Sequence, residues 1–92
     1  MTEETWVATT AERLVTLYDR RFGGKEGGRY RISAKLVCKS AKRRRMYESD
    51  IRDLTRALFE RGFVLIDMDG FFVVMSTNAF VNYRRANDDS LQ

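Results

Sequence analysis

The sequence predicts a small α+β domain built from three amphipathic helices, a short strand, a β-hairpin and a short C-terminal helix. Two patterns carry that reading. Apolar residues recur at helical spacing in three separate segments, and two β-rich runs flank an Asp-Gly pair. Length sets the frame: 92 residues, 43% hydrophobic and without Pro, supply one core rather than two. Residues 1–92 therefore read as a single domain, with the polar residues 87–92 as a frayed tail.

The elements follow in order. Val7, Ala11, Leu14 and Tyr18 make one stripe, with Leu17 beside it, which predicts a helix over about residues 5–22. Gly23 is its expected stop, because Gly takes the left-handed position after a helix without strain. The glycine-rich residues 23–28 read as a connector. Arg29-Tyr30-Arg31-Ile32 alternates, as a brief strand would, and Ser33 is placed to cap a second helix, residues 34–41. That helix is expected to bury Leu36, Val37 and Cys38. The third helix is expected to begin near Tyr47, with Tyr47, Ile51, Leu54 and Leu58 as its apolar stripe and Gly62 as its end. Glu48 and Asp50 fall in its first turn, where carboxylates favour the positive end of the helix dipole. Met46 is placed to staple against Ile51.

The hairpin follows directly. Residues 63–68 and 71–76 are apolar runs joined by Asp69-Gly70, a pair suited to a two-residue turn that needs positive φ. Pairing across that turn puts Val64, Ile66, Met68, Phe71, Val73 and Met75 on one face. Phe63, Leu65, Asp67, Phe72, Val74 and Ser76 share the other. One face is expected to cover the helices. The face of Phe63, Leu65, Phe72 and Val74 then remains as surplus apolar surface. Together with Phe80 and Tyr83 it is assigned to a homodimer or partner-protein interface, the alternative being a C-terminal helix, capped by Thr77 or Asn78, that folds back over it.

Absences narrow the chemistry. There is no His and one Cys, Cys38, so a Ser-His-Asp or Cys-His nucleophile and a four-ligand zinc site are excluded, as is an internal disulfide. No apolar run has the shape of a signal peptide or the length of a membrane span, and the expectation is a cytoplasmic chain with no membrane partner. The apolar run ending Asp67-Met68-Asp69-Gly70 is similar to the nucleophile strand of haloacid-dehalogenase phosphatases, but Phe71 stands where Thr is normal and no Lys follows. A hairpin turn explains it better. The same residues fit no register of a calcium loop, and residues 23–28 lack the Gly-Lys-Ser/Thr ending of a phosphate loop. Cys38 reads as a small core residue. No catalytic, cofactor-binding or metal-binding residue is assigned, and an enzyme is not expected.

Charge is the informative feature. The net charge is +4, yet residues 20–45 alone carry eleven bases and one acid, a local +10 against −6 elsewhere. Four like charges stand together at Lys42, Arg43, Arg44 and Arg45. Such a block suits a phosphate-bearing partner or an acidic protein surface.

The order helix, strand, helix, basic turn, helix, Gly, hairpin resembles the winged helix-turn-helix superfamily over residues 29–75. The resemblance rests on the strand Tyr30-Arg31-Ile32-Ser33, the junction Leu58-Phe59-Glu60-Arg61-Gly62, and the hairpin after it. It implies a three-helix core closed by a β-hairpin wing, and binding of double-stranded DNA through the third helix. Ser49, Arg52 and Arg56 would then face the groove. Lys39, Lys42, Arg43, Arg44 and Arg45 would meet phosphates, with Arg29 and Arg31 adding to that surface. Asp53 and Glu60 share the reading face and oppose it, and the tip Asp67-Met68-Asp69-Gly70 is acidic. The expected function is a dimeric transcriptional or mobile-element regulator. The alternative is a winged-helix module that docks an acidic protein partner without binding DNA.

Overall fold

The structure is a computed structural model describing residues 5–81 and 83–91. Met1 to Glu4, Asn82 and Gln92, which lie within the expected 1–92 domain and its tail, fall outside the described residues. Three helices, α1 (Thr5–Tyr18), α2 (Ala34–Ala41) and α3 (Glu48–Glu60), and three strands, β1 (Tyr30–Ser33), β2 (Phe63–Asp67) and β3 (Phe71–Ser76), follow in the order α1-β1-α2-α3-β2-β3. The strands form one antiparallel sheet in the order β1-β3-β2. Two single 3-10 turns, Thr77–Phe80 and Asp88–Leu91, complete the described chain. The short C-terminal helix expected from the sequence is only the first of these, capped by the Ser76 hydroxyl accepting from the Asn78 N–H at 3.2 Å.

α1 is shorter than the periodicity predicts, ending at Tyr18 rather than Phe22. The reason is the glycine pair that follows. Phe22 and Lys25 exchange N–H···O bonds of 3.0 Å around Gly23 and Gly24, whose φ values are both positive at 59° and 80°. That two-residue turn needs extended residues on either side. Helical geometry must therefore end earlier, and the last turn tightens through Asp19 N–H to Thr16 O and Arg20 N–H to Leu17 O.

α2 begins and ends where expected, with the Ser33 hydroxyl accepting from the Leu36 N–H at 3.1 Å. Its inward stripe is Val37 and Ala41; Leu36 is exposed, contrary to expectation, and Cys38 half-buried. A two-turn helix has room for one stripe, and Leu36 lies about 100° away from Val37 around the axis. α3 is capped by the Asp50 carboxylate, which accepts from the Tyr47 N–H at 2.9 Å. Tyr47 precedes the helix and is exposed rather than part of the buried stripe; Leu54, Ala57 and Leu58 form it.

The hairpin has the expected register, with Leu65 opposite Val74 and Ile66 opposite Val73, around a turn in which Asp69 and Gly70 both have positive φ. Its faces are reversed. Leu65, Phe72 and Val74 are buried in the chain's own core, at 5%, 3% and 0% exposure, and Phe63 packs against that core. They are not free to form the dimer or partner surface assigned to them. β1 decides the matter: Tyr30 pairs with Val74 and Ile32 with Phe72, so both apolar residues of β1 fall on that face. Arg31 and Ser33 fall on the other, beside Val73 and Phe71. The outward face thus carries Val64, Ile66, Phe71 and Val73, all half-buried.

The core is one cluster of Val7, Ala11 and Leu14 from α1, Val37 from α2, Leu54, Ala57 and Leu58 from α3, and the inward sheet residues. Complete burial of each Leu contributes roughly 1.5–3 kcal/mol. The Tyr30 hydroxyl donates to the Leu14 carbonyl, tying β1 to α1. The Ala34 N–H donates to the Gly70 carbonyl at 3.0 Å, tying the hairpin tip to the start of α2.

Candidate nucleic-acid interface

The connection between α2 and α3, residues 42–47, sets where the central cations stand. α2 closes with Lys42 in the left-handed conformation, φ 58°, while the Lys42 N–H donates to Lys39 O and the Arg43 N–H to Cys38 O. This crossed pair of bonds satisfies the last carbonyls of the helix and turns the chain sharply. Gly is the usual residue at such a position; Lys bears a backbone strain of about 1–2 kcal/mol there.

Past that turn, consecutive side chains separate. Arg43 points inward. Its guanidinium lies 4.4 Å from the centroid of the Trp6 ring and 3.4 Å from both oxygens of Asp50. It joins α1 to the N-terminus of α3, and it is a brace rather than the phosphate ligand expected from the sequence. Arg44 and Arg45 remain exposed, the latter 5.9 Å over the exposed ring of Tyr47. Lys39 and Lys42 are exposed beside them.

On α3 the helical reading holds residue by residue. Ser49, Arg52, Asp53, Arg56 and Glu60 are all exposed, opposite the buried stripe. Among the described residues, Lys39, Lys42, Arg44, Arg45, Arg52 and Arg56 pair with no carboxylate. Unpaired cations on two successive helices and their connection leave donors free for an anionic partner. The carboxylates of Asp53 and Glu60 stay exposed on the same helix.

Arg29 and Arg31 stand elsewhere, before and within β1; the Arg31 guanidinium is 5.9 Å over the Phe71 ring on the outward sheet face. The structure thus separates the +10 segment into one group at the α2–α3 connection and another at the α1–β1 connection. Charge counting cannot make that division.

Sequence reading missed two features. Asp50, taken as a dipole partner, is also the anchor of Arg43. Phe59 is exposed at 65% on α3, and Tyr47 at 59% before it. The spacing of Phe59, one residue past the buried Leu58, was the available signal. Phe80 and Tyr83 are exposed and pack edge-to-face with centroids 5.3 Å apart.

Among the described residues no group of three or more His, Cys, Asp or Glu is placed to hold a metal ion, and no helix is long and apolar enough to cross a membrane. No protein-family model matches the chain, and no curated protein or solved structure matches it.

Proposed function

We propose that the chain is a small winged-helix protein that binds double-stranded DNA, with α3 against the major groove and the α2–α3 connection on the backbone. The order β1-β3-β2, with β1 between α1 and α2 and the hairpin after α3, supports the winged-helix reading. The observation that carries the function is the set of exposed cations, unpaired among the described residues, at Lys39, Lys42, Arg44 and Arg45, followed by Arg52 and Arg56 on the outer side of α3. Those four at the connection supply phosphate contacts; Arg52, Arg56 and Ser49 face base edges. The regulator proposed is dimeric. With Leu65, Phe72 and Val74 consumed by the core, its contact surface falls to the outward sheet face and the exposed Phe80 and Tyr83.

Fluorescence anisotropy of a labelled duplex, titrated across salt, tests this. Each phosphate contact contributes a slope of roughly −0.9 in log affinity against log salt. Replacing Arg44 and Arg45 together by Ala is expected to flatten the slope by about 1.8. A slope near zero, or one unchanged in the double variant, refutes the reading. A second reading, docking of an acidic protein surface, is favoured by the exposed Phe59 and Tyr47, since an aromatic residue flanked by cations is a common protein-contact anchor. It predicts no shift of random duplex at low salt.

A further inference from the structure

The other cationic group lies at the α1–β1 connection, where the chain builds a cavity of about 430 Å³. Arg20, Lys25, Arg29 and Arg31 line it, together with Phe22 and Tyr30. Its shape is held from below by three bonds: the paired Phe22–Lys25 contacts around the glycine turn, and the Gly28 N–H donating to Tyr18 O at 2.9 Å. Among the described residues none of the four cations pairs with a carboxylate, and no acid lines the cavity.

Phe22 makes this more than a patch of charge. Phe22 is 43% exposed, and its ring packs edge-to-face with Tyr30, with centroids 5.5 Å apart and planes at 82°. Tyr30 is itself fixed, buried and hydrogen-bonded to Leu14. An exposed aromatic on a rigid support beside Arg20, Lys25 and Arg29, whose side chains have no partner among the described residues, and Arg31, whose guanidinium also lies over the Phe71 ring, has two complementary offers: a surface for stacking and a charge for phosphate. A duplex presents the second partner but keeps its bases stacked inside, beyond reach of the ring. The volume is in the range of small-ligand pockets, roughly 300–1,000 Å³.

We propose that this cavity binds one unpaired nucleotide, its base stacked on Phe22 and its phosphate held among Arg20, Lys25, Arg29 and Arg31. The site is separate from the duplex surface of α2 and α3 and does not depend on it. The nucleotide comes either free or as part of a single strand, and the chemistry of recognition is the same for both.

The test is anisotropy with a short labelled oligo-dT, with thymidine 5′-monophosphate and inorganic phosphate as competitors. Phe22→Ala is expected to weaken oligo-dT binding roughly 5- to 150-fold, the range of one base–aromatic stack. Phe22→Trp restores it, and the paired change Arg29→Ala with Arg31→Ala weakens it as well. Competition by the monophosphate at comparable concentration identifies a free nucleotide as the source; binding only of the oligomer identifies a strand. Phe22 is exposed, so its variants keep the fold, which circular dichroism verifies. The proposal is overturned if wild type binds neither probe, if Phe22→Ala binds oligo-dT like wild type, or if inorganic phosphate displaces the oligomer as effectively as the monophosphate does. The change of Arg44 and Arg45 to Ala leaves this binding intact while weakening duplex binding and flattening its salt slope, so the failure of one proposal is distinguishable from that of the other.

Discussion

Arg43 is the residue at which charge and structure give opposite expectations, and its replacement by Ala separates them. Counted as charge, it equals Arg44 and Arg45. In the fold it lies 4.4 Å from the Trp6 ring centroid and 3.4 Å from the Asp50 carboxylate, with side-chain exposures of 33% for Arg43 and 14% for Asp50. A cation–π contact of that geometry is worth roughly 0.5–2 kcal/mol. The ion pair is long and partly wet, which limits it to about 0.2–1 kcal/mol. Arg43→Ala is therefore expected to destabilise by roughly 1–3 kcal/mol, a fall in melting temperature of about 5–20 °C for a domain of this size. Arg44→Ala and Arg45→Ala, whose side chains are exposed, stay within about 0.5 kcal/mol of wild type. Thermal and urea unfolding of the three variants measure this directly, and a double-mutant cycle between Arg43→Ala and Trp6→Leu isolates the ring contact. A melting temperature for Arg43→Ala indistinguishable from that of Arg44→Ala refutes the brace. The same logic extends to DNA: adding Arg43→Ala to the pair Arg44→Ala and Arg45→Ala flattens the salt slope no further.

Other outcomes follow from single contacts. Lys42→Gly relieves the left-handed strain at the end of α2 and is expected to raise stability by about 0.5–1 kcal/mol while lowering the DNA salt slope by about 0.9, read by melting and by titration. Leu65→Ala opens the core and costs about 2–4 kcal/mol, whereas Ile66→Ala, on the outward face, costs under about 1.5 kcal/mol; equal losses in urea unfolding would contradict the face assignment. Burial pushes the Tyr30 hydroxyl well above its usual pKa. A group raised in the folded state contributes fully below its unfolded pKa of about 10, and the contribution is lost as pH rises beyond that, by up to about 1.4 kcal/mol per pH unit. Tyr30→Phe loses the bond to Leu14, about 1 kcal/mol at neutral pH, and is expected to show a shallower alkaline decline in denaturant midpoint.

Much of the local structure was legible because it is local. Ser33 caps α2 through its own hydroxyl, Asp69-Gly70 turns the hairpin through its own φ values, and the stripe of Leu54 and Leu58 fixes which side of α3 is wet. The exposure of Ser49, Arg52 and Arg56 follows from that stripe with nothing further needed. Errors arose where two local preferences competed. The apolar period ran on to Phe22, but the Gly23-Gly24 turn required extended neighbours and cut the helix at Tyr18. In α2, adjacent Leu36 and Val37 could not both face inward.

The amino-acid order determined the elements, their succession, the hairpin register and the excess of positive charge between residues 20 and 45. Tertiary structure decided which face of the hairpin is interior, because both faces are apolar and only the pairing of Tyr30 and Ile32 with Val74 and Phe72 breaks the tie. It also divided the cations into a brace at Arg43, an exposed group at the α2–α3 connection, and a pocket beside Phe22. The physical reason is common to both: a side chain's period is written in its own segment, whereas its partner arrives from residues far along the chain.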